Sequence, residues 1–342
     1  MRNIVKKTTL VSSLVLALSA NSMYAQSFEW ISSTEGNTWQ KSKAKLQTNA
    51  AQTPILDVNG SEEGTVFKAW GTCLNELGWD ALNMLPRKEQ ETILHKLFSP
   101  EGELRFTMGR FSMNANDYAR DWYSCDEVPG DFQLKYFNIN RDKTTLIPFI
   151  KAAQQYNPNM TFWMSPWSPP SWMKINHYYS VRSDRNQNQM SPLSDVALFE
   201  GSKEKNTKVF PQQLAVNDYF IQDPRYLQTY ANYFCKFIDA YKQQGIAISM
   251  VMFQNESWSY TNYPGCAWTA EGIIRFNTEY LAPTLKKQHP EIKLYLGTIN
   301  TNRYDVIDQV LSDPRMPETI QGVGFQWEGG QILPKLRAKY PQ

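Results

Sequence analysis

The sequence predicts an α/β fold of the (β/α)8 TIM-barrel type, with strands one to six present in residues 64–342 and strands seven and eight missing. Three observations carry that prediction. Six short apolar runs alternate with helical stretches, and strict alternation implies a parallel sheet. No glycine-rich nucleotide loop follows the first run, which argues against an open doubly wound sheet. Polar and aromatic residues gather directly after the runs, at the end of barrel strands where chemistry is kept. Ahead of this domain, residues 26–63 are polar, with strand-like runs at 28–31 and 55–58. They read as the β segment of a small side domain.

Each unit carries its own signal. Residues 65–74 form the first strand, and 86–98 a helix with Ile93, Leu94, Leu97 and Phe98 on one face. Residues 104–113 form the second strand and run into Asn116 and Asp117. Asp142 is placed to cap a helix reaching Tyr156, with Pro148 delaying its start. Residues 160–164 form the third strand, ending in Ser165-Pro166-Trp167. Residues 176–216 are a polar insertion with little periodicity, of a length that usually marks function or disorder. Asp223-Pro224 then supplies an N-cap and a first-turn proline, and Gly245 closes that helix. Its stripe of Leu227, Tyr230, Phe234, Phe237, Ile238 and Tyr241 reads as core. Residues 248–253 form the fourth strand, apolar but for Ser249, as expected of a strand buried on both faces. Thr269 caps a helix to about residue 288. A fifth strand at 293–298, a helix at 304–311, a sixth strand at 322–327 and a helix at about 331–340 follow.

The net charge of +2 leaves no nucleic-acid footprint. Residues 1–25 read as a signal peptide: Arg2, Lys6 and Lys7, an apolar stretch at 10–20, and Ala25 before the expected cut. That stretch is too short to span a bilayer, and no Cys follows the cut. A secreted or periplasmic protein without a stable membrane anchor is therefore expected. Cysteine spacing offers no zinc site, so neither metal nor cofactor is expected. Cys73 and Cys235 read as buried thiols. Cys125 and Cys266 fall in loops and could pair in an oxidising compartment. The 11 Trp and 18 Tyr, many in loops, suit stacking on sugar rings, although a Trp-rich core uses the same residues.

Four strand ends supply candidates for chemistry: Asn75 with Glu76, Asn116 with Asp117, Trp167, and Asn255 with Glu256. Amides and carboxylates bind hydroxyls, an indole stacks on a sugar ring, and a carboxylic acid protonates a glycosidic oxygen. Glycoside hydrolysis usually takes two carboxyl groups, about 5–5.5 Å apart for retention and about 6.5–9.5 Å for inversion. The plain alternative for Glu256 is a salt-bridged residue opening a loop, and for Glu76 a structural role. His177 borders the expected cleft, His95 and His289 read as ordinary helix residues, and Lys203-Glu204-Lys205 as a solvated charge run.

Several segments, in order, resemble glycoside hydrolase family 30, in the clan of retaining (β/α)8 glycosidases, which includes glucosylceramidases and β-1,6-glucanases. Phe67-Lys-Ala-Trp-Gly-Thr-Cys-Leu-Asn-Glu-Leu-Gly-Trp79 resembles the family's first strand. Arg110 with Asn116-Asp117-Tyr118 resembles its second, and Asp131-Phe-Gln-Leu-Lys-Tyr-Phe137 a further signature. Ser165-Pro-Trp-Ser-Pro-Pro-Ser-Trp-Met-Lys174 matches the third-strand motif closely and is the most specific of these. Gln254-Asn-Glu256 resembles the acid/base motif, and Gly322-Val-Gly-Phe-Gln-Trp327 the sixth strand.

The resemblance implies that Glu256 is the general acid/base and that Asn255 binds the sugar 2-hydroxyl. Asp117 and Trp167 would hold the sugar, and Arg110 would sit beneath the catalytic centre. Tyr263, Trp258 and Trp327 would shape the substrate site. Ser257, Gln326 and Glu328 depart from the family pattern, where Pro, His and Tyr are usual. The nucleophilic Glu is expected just beyond Gln342, on the seventh strand, with Glu328 the in-chain substitute. The implied activity is that of a secreted retaining β-glycosidase, a hydrolase acting on a carbohydrate partner. The stretches Phe253-Gln-Asn-Glu256 and Tyr263-Pro-Gly-Cys-Ala-Trp268 look most like the β-1,6-glucanase branch, which favours a β-1,6-linked glucan over glucosylceramide. A non-catalytic glycan-binding protein or an inactive fragment is the rival from another class.

Overall fold

The computed structural model describes residues 28–44, 66–191 and 217–341. The expected leader, the run at 55–58 and the charge run at 203–205 lie outside them. The chain divides into two compact units, Met1–Val66 and Phe67–Gln342. In the first, β1 (Phe28–Thr34) pairs antiparallel with β2 (Asn37–Ala44). The intervening turn places Gly36 at φ 80°, a conformation that favours glycine. Strand β2 was not legible in sequence, because it is polar apart from Trp39 and Ala44.

The second unit holds β3 (Gly71–Leu74), β4 (Met108–Met113), β5 (Thr161–Pro166), β6 (Ile248–Met252), β7 (Lys293–Ile299) and β8 (Val323–Phe325). They form one parallel sheet in the order β3-β4-β5-β6-β7-β8. Each strand pairs only with its sequence neighbours. That is the order of a TIM barrel; a doubly wound sheet reverses its order at a switch point. The predicted fold class and the predicted six strands are met.

The helices are α1 (Glu76–Asn83), α2 (Arg87–Phe98), α3 (Leu146–Tyr156) and α4 (Pro224–Gln243). Then come α5 (Ala270–Arg275), a π turn (Phe276–Leu281), α6 (Ala282–Gln288), α7 (Tyr304–Leu311), α8 (Met316–Thr319) and α9 (Leu333–Lys339). Asp223 caps α4 through its side chain, Gly245 follows at φ 71°, and the predicted apolar stripe is buried. Phe111 of β4 stacks on Tyr241 of α4 with ring centroids 5.0 Å apart. Each such buried side chain contributes about 1.5–3 kcal/mol.

Several expectations need correction. The second strand begins at Met108, not Leu104, because the Leu104 and Phe106 amides donate to Lys96 and Leu97 at the end of α2. Helix α1 was not foreseen. Asn75, read as a strand-end candidate, is its N-cap and accepts from the Gly78 amide at 2.7 Å. Asp142 caps nothing with its side chain: it is buried in a short 3-10 turn and accepts from Tyr123 and Tyr241 hydroxyls. Cys73 is exposed, not buried, because β3 has a strand neighbour on one side only among the described residues. Cys125 and Cys266 are not bonded; both are buried free thiols, as is Cys235.

Candidate active site

The loops after β4, β5, β6 and β8 converge at the carboxyl end of the sheet. Glu256 follows β6 at φ 49°, a left-handed backbone that L-residues adopt mainly where surroundings enforce it, often at functional sites. Its carboxylate accepts from four side chains. Oε1 receives Gln326 Nε2 at 2.5 Å and Trp327 Nε1 at 2.7 Å. Oε2 receives Ser259 Oγ at 2.9 Å and Tyr263 OH at 3.4 Å. Ser259 is oriented in turn by the Asn300 amide, 2.6 Å away. Burial raises the Tyr263 phenol above its usual range, and the adjacent Glu256 adds to the shift.

Asn255, buried beside it, has its amide oriented by three donors. Its Oδ1 accepts from Arg110 Nη2 at 2.7 Å, Thr298 Oγ1 at 3.1 Å and Gln326 Nε2 at 3.4 Å. With every donor on the oxygen side, Nδ2 is left to donate, and it has no acceptor among the described residues. Arg110 also donates to Ser165 Oγ at 2.9 Å. Its guanidinium meets two indole faces, 4.8 Å from the Trp163 centroid and 4.4 Å from that of Trp167. Burial lowers its pKa, while Cys73, Glu256 and Asp117 pull the other way. Asp117 is exposed on the loop after β4. Partial withdrawal from water holds its carboxyl above the usual range, against Arg110 and the Trp167 indole.

The structure therefore brings Arg110, Asp117, Trp167, Asn255, Glu256, Tyr263 and Trp327 together. Trp327 is 78 % exposed and meets Glu256 through its indole N–H. Two predicted residues are elsewhere. Trp258 is 1 % exposed and packed into the core, so it offers no face to a ligand. Glu76 is a structural residue: it is buried, takes both arms of Arg141 at 3.0 Å and accepts from the Arg120 amide at 2.8 Å. Glu328 accepts from Gln331 within its own turn. His177 is exposed, whereas His289 is buried and faces Asp239 and Glu291. Sequence reasoning missed Ser259, Thr298 and Ser165. It noted Gln326 only as a departure, although a polar residue directly after a strand was the available signal.

Among the described residues, no group of three His, Cys, Asp or Glu could hold a metal ion. No helix among them is long and apolar enough to cross a membrane.

Residues 67–188 and 218–332 match the glycosyl hydrolase family 30 TIM-barrel domain. Putative glucosylceramidase 3 of Caenorhabditis elegans is 27 % identical over 310 residues, which is 86 % of this chain and 52 % of that protein. Lysosomal acid glucosylceramidase of Mus musculus is 25 % identical over 308 residues, with the same coverage of 86 % and 52 %. Endo-1,6-beta-D-glucanase neg1 of Aspergillus fumigatus is 24 % identical over 255 residues, 73 % of this chain and 47 % of that protein. The chain thus spans about half the length of these curated relatives. Among solved structures, an endo-beta1,6-glucanase superposes with a TM-score of 0.67 at 22 % identity, covering 90 % of this chain and 62 % of its own. SrfJ from Salmonella typhimurium gives 0.70 at 19 %, covering 92 % and 64 %. Those two likenesses bear on the fold. The two matched segments take in most of the chain and all six barrel strands, and on that match the chain belongs to glycosyl hydrolase family 30.

Proposed function

We propose that the protein is an exported retaining β-glycosidase acting on β-glucosides, with a β-1,6-linked glucan as its favoured substrate. The leader is removed after Ala25, and residues 64–342 form the barrel part of the catalytic domain. The observation that carries this reading is the Asn255–Glu256 pair: an amide turned so that only its N–H group is left to donate, beside a carboxyl group at the end of a barrel strand.

Glu256 protonates the leaving oxygen as the glycosidic bond breaks, then takes a proton from the water that releases the sugar. Asn255 Nδ2 donates to the sugar 2-hydroxyl, a contact that strengthens in the transition state. Asp117 accepts from sugar hydroxyls. Trp167 presents the ring face opposite Arg110. Arg110 holds Asn255 and sets positive charge beneath the site. Tyr263 and Trp327 flank the acid and shape the leaving-group side. The attacking carboxylate is assigned to the seventh β/α unit, beyond residue 342.

The preference for a β-1,6-glucan rests on the stretches that resemble the glucanase branch, whose residues meet at Glu256. Gln254 Nε2 holds the Trp167 carbonyl at 2.7 Å, Trp268 donates to Gln254 at 3.3 Å, and Gln326 bridges Asn255 and Glu256. Glucosylceramide is the competing substrate, since relatives named for each activity match the chain.

In a protein carrying the seventh unit, Glu256→Gln should abolish turnover of natural glucosides. Glu256→Ala supplied with a dinitrophenyl β-glucoside and azide should yield the β-glucosyl azide, because azide then replaces the deprotonated water. Full activity of Glu256→Gln, or an α-glucosyl azide product, would overturn the assignment of Glu256. Glucose release from β-1,6-glucan compared with glucosylceramide decides the substrate.

A further inference from the structure

Two aromatic residues near the site have no role in the account above. Trp122, on the loop after β4, and Tyr178, on the loop after β5, meet edge to face with ring centroids 5.9 Å apart and planes at 77°. Both are half-buried, and neither belongs to the apolar core or packs against it. Neither the Trp122 indole N–H nor the Tyr178 hydroxyl has a hydrogen-bond partner among the described residues. Buried Trp and Tyr usually pair their polar ends, so two aromatic faces with unengaged tips, outside the core, have the chemistry of a ligand surface.

The pair is held firmly. Beside Trp122, the Tyr123 hydroxyl donates to Asp142 at 2.6 Å, its carbonyl accepts from Ala115, and Arg141 lies over its ring. On the other side, the Asp121 carbonyl accepts from Arg141 at 3.1 Å. Beside Tyr178, the Tyr179 carbonyl accepts from Lys174 Nζ at 2.6 Å and from the Gly265 amide at 3.1 Å. Ser180 bridges to Pro264, whose neighbour Tyr263 touches Glu256. Trp122 stands on the same loop as Asp117. Both rings are therefore tied by short stretches of chain to residues of the candidate site. They lie at the carboxyl end of the sheet, where Glu256 also lies.

We infer that Trp122 and Tyr178 form a second sugar-binding platform, which takes a neighbouring glucosyl unit of the chain whose scissile bond lies at Glu256. The inference rests on the glycosidase reading and deepens it: the substrate is an oligosaccharide or polymer rather than a single glucoside. A sugar suits the pair better than an alkyl chain. Sugar C–H faces stack on the rings while the hydroxyls meet the indole N–H and the phenol; an alkyl chain would leave both tips unanswered.

Binding is read by titration calorimetry in the Glu256→Gln background, where turnover is removed. The ligands are methyl β-glucoside, a β-1,6-linked glucotriose and dodecyl β-glucoside. Trp122→Ala and Tyr178→Ala should each weaken the trisaccharide about tenfold and leave the methyl glucoside unchanged. Trp122→Phe, which keeps a ring, should retain most of the affinity and covers the case in which Trp122→Ala fails to fold. Unchanged trisaccharide affinity in folded variants overturns the platform, and so does an equal loss on both sugars. A loss confined to dodecyl β-glucoside assigns the rings to a lipid tail instead and overturns it too. If the parent binds none of the ligands, the glycosidase reading itself falls, a result distinct from the others.

Discussion

Lys174 ends the third-strand motif and is fully buried, yet among the described residues no carboxylate pairs with it. Its Nζ donates to the carbonyls of Tyr179, Ser180 and Gly265 at 2.6, 3.2 and 2.7 Å, with Ser168 Oγ at 3.4 Å. Burial pushes its pKa down to about 7. The three carbonyls act the other way, because only an ammonium has a proton for each of them. The residue joins the loop after β5 to the loop that brings Tyr263 onto Glu256. Lys174→Met would leave the buried Gly265 carbonyl without a donor, at a cost of about 1–3 kcal/mol, while the Tyr179 and Ser180 carbonyls keep the Gly265 amide and Asn176 Nδ2. Urea unfolding should show a loss of at least that size, and an unchanged midpoint would refute the account. The same residue shows what local reading misses. The motif was legible as a family likeness, but the role of its lysine depends on carbonyls from two other stretches of chain.

At the scale of an element, the start of α5 shows how a cap and a glycine depend on a third residue. Thr269 Oγ1 accepts from the Gly272 amide at 3.0 Å, and this cap was predicted from sequence. Asp218 completes it: its Oδ1 accepts from the Thr269 amide at 2.6 Å and from the hydroxyl at 3.1 Å. A Cβ on Gly272 would stand 2.1 Å from that Oδ1. An exposed helix normally gains about 1 kcal/mol from Gly→Ala. Here Gly272→Ala should instead destabilise by roughly 1–3 kcal/mol, since it forces Asp218 off the cap. A thermal melt of the variant checks the sign; a raised midpoint would mean that Asp218 moves aside without cost. Helix and strand positions were largely legible in this way, with an apolar stripe marking α2, a cap, a proline and a stripe marking α4, and a cap marking α5. The strand starts were less so, because the amides of residues 104 and 106 find partners in α2 rather than in the sheet.

For the whole molecule, a buried acid sets a pH dependence. Asp142 lies between the Tyr123 and Tyr241 hydroxyls, and burial raises its pKa to about 6 against the help of those two donors. The folded state thus holds its proton to higher pH than the unfolded chain does, whose value is about 3.9. Between those values the folded state binds more protons, so stability falls as pH rises. This contribution is complete below the unfolded value and lost as pH passes about 6, a span worth roughly 3 kcal/mol. Asp142→Asn should flatten that slope without loss of stability at pH 7, as read from unfolding midpoints between pH 4 and 7. Asp126, raised to about 6 mainly by burial and also by Asp131, leaves a residual slope. An unaltered slope in the variant would exclude Asp142 as its source.

The sequence by itself determined the barrel class, the order of its six strands and the grouping of Asp117, Trp167, Asn255 and Glu256 at strand ends. Those features follow from local periodicity, from caps and from the rule that residues after parallel strands share one face. Only the tertiary structure decided which polar groups meet. Glu76 turned out to be a partner of Arg141, Trp258 a core residue, Cys73 an exposed residue and Gln326 a donor shared by Asn255 and Glu256. Apolar spacing reports whether a side chain is buried against a sheet. The direction and partner of a hydrogen bond depend on segments far apart in the chain, and no local pattern carries that information.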